Sequence, residues 1–218
     1  MKRLRTLAGI SAVLLALIYA IVIYYFQALW SFPYGGDATE QMAYLYKNQL
    51  SLSTINVIRY VVFACLLSIL VTELYHQLKT INAALASISS LFGAIWIGLL
   101  IAGGMLSNAG IHHASELFSS NFEPDEPLNL WATISTIVEG IVGGGTLVGG
   151  IWVLLVSVCA PEGQVASRPL SYLGIFVGVT GVATVYPDEV LFELFRGSQM
   201  VWFMWLGIFI CSRKYGAH

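Results

Sequence analysis

The sequence predicts an all-α polytopic membrane protein: a bundle of six transmembrane helices with short amphipathic surface helices in the outer loops. Composition is the first observation, because 57% of the residues are hydrophobic and only 10% are charged, against roughly 25% charged in an average soluble domain. The second is that the apolar residues fall into six runs of about the ~20 residues that cross a hydrocarbon core. The third is that polar segments separate these runs. The lipid bilayer is therefore the expected solvent.

The six spans are expected at about 7–30, 54–76, 83–106, 129–157, 170–187 and 192–212. The first run is longer than the ~7–15 apolar residues of a cleavable signal peptide, so we expect a retained span. The fifth is short and ends at Tyr186 and Pro187, and polar residues beginning at Arg196 interrupt the sixth. The whole chain, 1–218, is treated as a single transmembrane domain.

The distribution of lysine and arginine predicts the orientation of the spans. With the N-terminus inside, seven of these residues lie on the inner side: Lys2, Arg3, Arg5, Lys79, Arg168, Arg213 and Lys214. Lys47 and Arg196 lie outside, and Arg59 lies within a span. By the positive-inside rule, this excess predicts cytoplasmic N and C termini.

Two outer segments are predicted to form short helices on the membrane surface. In the first, Asp37 is followed three residues later by Glu40, which resembles a helix capping box. Apolar residues then recur at near-helical spacing, so we expect an amphipathic helix there. The second segment contains a similar turn around Ile111 and breaks at Pro124 and Pro127.

The fourth and fifth spans carry glycines at a spacing typical of helix packing. Small residues four apart let helix backbones approach closely in lipid, and this pattern occurs among Gly140, Gly143, Gly144, Gly145, Gly149, Gly174 and Gly178. Close packing of the third, fourth and fifth spans is the main interpretation. The three consecutive glycines at 143–145 cover nearly a full turn, so a locally broken helix or a thinned cavity wall remains an alternative.

Two charged residues fall inside predicted spans. Glu139 lies ten residues into the fourth span, about 15 Å deep. Arg59 lies about five residues into the second span from the same side, about 8 Å deep. Because a charge in the membrane usually finds a partner, we expect an ion pair or a water-bridged contact between them. The pair either fixes helix register or forms a proton or solute site, and a protonated, unpaired Glu139 is a further alternative.

His112 and His113 adjoin Glu116 in the second outer segment. Their spacing of four and three residues from the glutamate suits two metal ligands on one helical face. We favour a solvated loop here and predict no bound metal or other cofactor. The sequence has no P-loop, zinc-protease motif or nucleophile elbow, so we predict a protein that is not an enzyme. It also has no basic face, so no nucleic-acid partner is expected.

Several stretches beyond Val71 resemble a known family. They are TELYHQLKTINAALASISSLFGAIW, GGIWVLLVS, PLSYLGIFVGVTG and SQMVWFMWLGIFI. In this order and spacing they resemble a family of bacterial and archaeal six-helix integral membrane proteins of unknown function, over roughly residues 55–213. The resemblance implies a six-helix integral membrane protein, and it implies no activity. We expect the protein to lie in the bacterial inner (plasma) membrane.

The leading functional hypothesis is a non-enzymatic accessory or assembly subunit that packs through glycine faces and outer loops against another membrane protein or against itself. One alternative is a carrier or channel for a small solute or proton that uses Glu139 and Arg59. Another is a membrane metalloprotein with a site at His112 and His113. A subunit predicts an apolar, glycine-lined outer surface, whereas a carrier predicts a water-accessible path to Glu139.

Overall fold

The computed structural model describes residues 2–120, 122–159, 167–186 and 188–212, and every regular element in these parts is helical. Helix α1, Lys2–Tyr24, continues into a π turn at Tyr25–Leu29. Helix α2, Ala38–Asn56, the π turn Val57–Val62 and helix α3, Phe63–Lys79, form one continuous rod of 42 residues. The remaining helices are α4 at Ala83–Ser119, α5 at Asp125–Cys159, α6 at Arg168–Ala183 and α7 at Glu189–Ser212.

Among the described residues, five helical segments are long and apolar enough to cross a membrane by length and composition. The exception is α6, whose 16 residues span about 24 Å, less than the ~30 Å of a typical hydrocarbon core. The prediction of an all-α, multi-pass membrane protein is confirmed at this level. The count of six spans, the identity of the membrane and the cytoplasmic termini remain predictions. Arg213 and Lys214, which support that orientation, lie outside the described residues.

The helices pack side by side as a closed ring. Helix α1 contacts α3 and α7, α4 contacts α3 and α5, and α6 contacts both α5 and α7. Successive helices run in opposite directions, because short connections join their neighbouring ends. We call the end of the ring where α1 begins and α3, α5 and α7 end the base. Lys79, Cys159 and Ser212 therefore lie at the base.

A second region, the cap, projects from the ring at the end opposite the base. It consists of residues 30–56, 107–119 and 122–136. Helices α4 and α5 have 37 and 35 residues, about 55 and 52 Å, so both extend well beyond a hydrocarbon core of ~30 Å. Their extensions pack against α2 around a separate apolar core that contains Phe32, Met42, Leu45, Leu52, Ile55, Ile111 and Ala114.

The outer segments differ from the sequence prediction in one respect. Asp37 caps α2 as expected, because its Oδ1 accepts a hydrogen bond from the backbone N–H of Glu40 at 2.8 Å. However, α2 is not a separate surface helix, since it continues into α3, and the turn around Ile111 is part of α4. The reason is that residues 38–79 contain neither proline nor glycine, so polar residues alone do not end the helix.

Candidate functional site

Several glycines bring the helices of the ring close together. A Cβ at Gly149 would lie 2.7 Å from Trp96 of α4. A Cβ at Gly150 would lie 2.7 Å from the Cα of Gly181, so α5 and α6 touch backbone to backbone. Three further glycines of the predicted set also contact neighbouring helices: Gly145, Gly174 and Gly178. At Gly145 an added Cβ would make an ordinary contact at 3.5 Å, whereas at the other positions a larger residue would push two helices apart.

Gly140, Gly143 and Gly144 lie in open space, because a Cβ at any of them would meet nothing within 4 Å outside its own helix. Helix α5 is unbroken through these glycines, so the structure does not have the locally broken helix considered as an alternative. The cause of the open space is the length of α6, which contacts Gly150 and ends at Ala183. Gly143 is seven residues from Gly150 and shares its face, but α6 does not extend far enough to cover it.

Two cavities adjoin along the axis of the ring. The inner chamber has a volume of about 200 Å³ and is lined by α1, the π turn before α3, α3, α4, α5 and α7. The outer chamber has a volume of about 480 Å³ and lies between the ring and the cap. Arg59, Tyr60 and Val142 line both chambers. The outer chamber also includes exposed residues, among them Tyr34 and Glu139, so it reaches the protein surface.

Arg59 lies in the wall that the two chambers share. Its guanidinium carbon is 4.4 Å from the ring centroid of Tyr60 and 4.9 Å from that of Phe26. Its Nε is buried without a hydrogen-bond partner, and no ion pair involves Arg59 within the described parts of the chain. Arg59 and Phe26 both lie in π turns, which are frequent at functional sites.

Glu139 lines the outer chamber together with Arg59. No ion pair within 4.0 Å joins these two described residues, so the direct contact expected from the sequence is absent, and a water-bridged contact stays a prediction. Glu139 also lies less deep in the membrane than the sequence predicts, because α5 begins at Asp125 in the cap. Glu139 is twenty residues before Cys159 and so about 30 Å from the base. A hydrocarbon core of ~30 Å that starts at the base would end near Glu139.

Aromatic side chains close the inner chamber on the side of the base. Phe63, Trp96, Trp152, Trp202 and Phe203 form a closed cycle of ring contacts, with centroids 5.4 to 6.0 Å apart. None of the five is more than 4% exposed. We call this cycle the aromatic floor. The inner chamber therefore adjoins the outer chamber on one side and tightly packed rings on the other.

Two buried amides border the chambers, and neither is among the site residues predicted from the sequence. Asn56 in the outer chamber donates from Nδ2 to Oγ of Ser107 at 2.9 Å and to Oδ1 of Asn108 at 3.2 Å. Tyr19 in the inner chamber donates its hydroxyl hydrogen to Oε1 of the fully buried Gln199. Amides within apolar runs often hydrogen-bond across helices in membranes, and that signal was present at both positions.

The histidines lie on the exposed surface of the cap, directly after Ile111 of α4, which lines the outer chamber, but neither histidine is among the residues that line it. His113 Nδ1 is 3.2 Å from Oε2 of Glu116, and His112 Nε2 is 3.8 Å from Oε1 of the same residue. All three side chains are well exposed. Where the structure describes the chain, no group of three or more histidine, cysteine or acidic residues is arranged to hold a metal ion. The cluster therefore gives the metalloprotein hypothesis no geometric support.

No family model, no curated protein and no solved structure matches the chain. The resemblance noted over roughly residues 55–213 thus stays a prediction. The features of the structure that bear on function are therefore the two chambers and the open glycine face of α5.

Proposed function

We propose that this chain is a small carrier or channel whose solute enters the ring from the cap. The observation that supports this best is Arg59, a guanidinium that forms no ion pair with the described residues and lies in the shared wall of two adjoining chambers. Charged side chains inside membrane segments are expensive, and they typically mark paths for substrates or ions. In this proposal the protein lies in the bacterial inner membrane with its base in the cytoplasm.

The aromatic floor determines what the described conformation can do. A solute in the inner chamber has a route towards the cap, whereas Trp152, Trp202 and Phe203 are fully packed towards the base. Passage to the other side therefore requires the floor to part. In a carrier, the described conformation is the end state that faces the cap, and the opposite state has the floor open.

Accessibility of single cysteines tests the proposal. The background replaces the three native cysteines, Cys65, Cys159 and Cys211. Thr146→Cys then places a thiol in the inner chamber, and Ser157→Cys places one on the same helix beyond the floor, where the native side chain is buried. A membrane-impermeant thiol reagent applied on the cap side should label Thr146→Cys at least tenfold faster than Ser157→Cys.

The side from which labelling occurs separates the outcomes. Slow and equal labelling of the two thiols would show that water does not reach the inner chamber, and the proposal would fail. A carrier or channel also predicts slower but measurable labelling of Thr146→Cys from the base side. Labelling from the cap side alone under every condition would describe a closed receptor pocket, which contradicts a transport function.

A second candidate function is the accessory or assembly subunit, and the open glycine face of α5 favours it. Gly140 and Gly144 are four residues apart and face no helix within the described chain. Exposed Ile137 lies beside them. Such a face allows a helix of another membrane protein, or of a second copy, to approach closely in lipid.

Native mass spectrometry after gentle extraction tests this second function. We expect wild-type protein to carry a stoichiometric protein partner or to be a homo-oligomer, and Gly144→Leu to be a monomer. Gly98→Leu is the matched control, because Gly98 also lies in open space but on α4, and it should behave as the wild type. A wild-type monomer without any bound protein would rule out the subunit hypothesis.

A further inference from the structure

The inner chamber carries positive charge that its own lining does not neutralise. Arg59 and Arg196 both line it, and its described lining residues include no aspartate or glutamate. Arg196 is paired with Glu193 one turn earlier on α7, and both side chains are about half exposed, at 44% and 52%. Arg59 has no such partner among the described residues. The chamber therefore holds one cation in excess.

The contacts of Arg59 leave its hydrogen-bonding groups unused. A guanidinium has five N–H donors and no acceptor. The rings of Tyr60 and Phe26 interact with its charge, yet among the described residues no acceptor meets its Nη groups or its buried Nε. Because the unmatched group is a donor that carries positive charge, the partner that fits it is a negatively charged acceptor. A carboxylate meets a guanidinium with two parallel hydrogen bonds.

Apart from the two arginines, the inner chamber offers few polar groups to a ligand. The hydroxyl of Tyr19 is bonded to Gln199, and that of Thr146 donates to the carbonyl of Val142 at 3.1 Å. Most of the remaining lining is aliphatic or aromatic, with Trp96 near the floor. The volume of about 200 Å³ compares with the ~150 Å³ of an apolar cavity that takes up benzene. A ligand with one ring or a short chain therefore fits.

We propose that the inner chamber binds a small organic monoanion, with its carboxylate against Arg59 and its apolar body against Trp96 and Leu100. This inference rests on the proposed function, because the ligand reaches the chamber through the cap. A single negative charge matches the single excess cation. An apolar body also contacts the apolar lining of the chamber, which an inorganic anion would not do.

Benzoate and benzamide form a suitable pair of probes, because they are close in size and differ in charge. Binding to purified protein in nanodiscs can be followed by tryptophan fluorescence, since Trp96 lines the chamber. We expect the Kd for benzoate to be at least tenfold lower than that for benzamide. Arg59→Gln should abolish this preference. Lys47→Gln removes an exposed cation of the cap that lines neither chamber, and it should keep the preference.

Equal affinity of the wild-type protein for the two probes would overturn the inference without the need for any variant. An undiminished preference in Arg59→Gln would overturn it as well. If that variant does not fold, Arg59→Lys provides the second measurement: it keeps the charge but loses the fork of donors, so benzoate should bind more weakly and still better than benzamide. An unchanged benzoate affinity in Arg59→Lys would contradict the proposed contact.

The cysteine in the chamber separates this inference from the proposed function. Benzoate should slow the labelling of Thr146→Cys, and benzamide at the same concentration should not. If Thr146→Cys is labelled rapidly and benzoate gives no protection, the inference of a monoanion ligand is wrong, whereas the proposal of a solute-accessible chamber is supported. If Thr146→Cys is not labelled at all, both proposals fail.

Discussion

The ring and the cap are built from the same helices, yet their outer surfaces differ. On the ring, large apolar side chains point outward, among them Leu14, Leu17, Ile21, Leu91, Ile95 and Ile208. On the cap, the exposed side chains are largely charged or polar, among them Glu40, Lys47, His112, Glu116, Asp125 and Glu126. Helix α4 passes through both regions and changes its surface along its length. The two regions are therefore suited to different solvents, lipid around the ring and water around the cap.

The interiors of the two regions, in contrast, contain the same two kinds of contact. Glycine lies close to a neighbouring helix in both, at Gly149 against Trp96 in the ring and at Gly110 in the cap, where a Cβ would lie 2.7 Å from a side chain of α5. Aromatic rings also pack on one another in both, as the aromatic floor in the ring and as Phe32 and Trp131 in the cap, whose centroids are 5.3 Å apart. The difference between the ring and the cap therefore lies in their outer surfaces.

The comparison of the two outer surfaces can be tested by placing an acidic residue on each of them. The difference in stability between these two variants is the largest effect that we expect. Leu91 on the ring is 59% exposed and Leu50 on the cap is 78% exposed. Leu91→Asp should destabilise the protein by about 2.5–3.5 kcal/mol, the cost of an acid inside a membrane. Leu50→Asp should stay within about 0.5 kcal/mol. Unfolding in nanodiscs measures both, and equal effects would contradict the assignment of different solvents.

A smaller effect is expected from adding one methyl group to α5. Gly150→Ala directs its Cβ at the backbone of Gly181, only 2.7 Å from the Cα, and overpacking of this kind costs about 1–3 kcal/mol. Gly144→Ala is the matched control on the same helix. Its Cβ meets nothing within 4 Å, so the gain in helix propensity should raise stability by up to about 1 kcal/mol.

The thermal unfolding midpoint in detergent should therefore fall for Gly150→Ala and rise or stay level for Gly144→Ala. A fall of the same size in both variants would mean that a helix from another chain covers Gly144. That result would support the subunit function and would contradict an open glycine face in the isolated protein.

The smallest effect is expected at the N-terminus of α2, which Asp37 caps. Asp37→Ala removes the acceptor of the Glu40 N–H and should cost about 1 kcal/mol. Hydrogen exchange of the amides that follow, near Glu40 and Gln41, should accelerate while amides of the ring keep their rates. Thr39→Ala is a suitable control, since the side chain of Thr39 is exposed. Faster exchange throughout the ring would show that the cap and the ring unfold as one unit.

Local features of the sequence predicted local features of the structure well. The carboxylate of Asp37 caps a helix as expected, because a cap depends only on residues within one turn. The spacing of the glycines indicated helix packing, but not which glycines have a neighbour. Gly149 has one and Gly143 has none, although both lie on one helix.

The direct contact that the sequence predicts between Arg59 and Glu139, and that the structure lacks, shows why the rest of the site was not predictable. The start of an apolar run predicts how deep Glu139 lies in the membrane, but the run does not reveal that α5 begins in the cap. The sequence also gives no sign that Arg59 would lie against Tyr60 and Phe26. The contact with Phe26 joins residues from two helical segments, and its distance depends on how these segments cross.

By itself, then, the sequence determined that the chain is helical and that most of its surface suits lipid, because composition and the absence of helix-breaking residues act locally along the chain. The tertiary structure decided that six helical segments form a ring, that α4 and α5 carry a cap, and that Arg59 lies between two chambers. These features depend on relative helix lengths and on which faces meet. The short α6 is the clearest case, since its end at Ala183 leaves Gly143 uncovered.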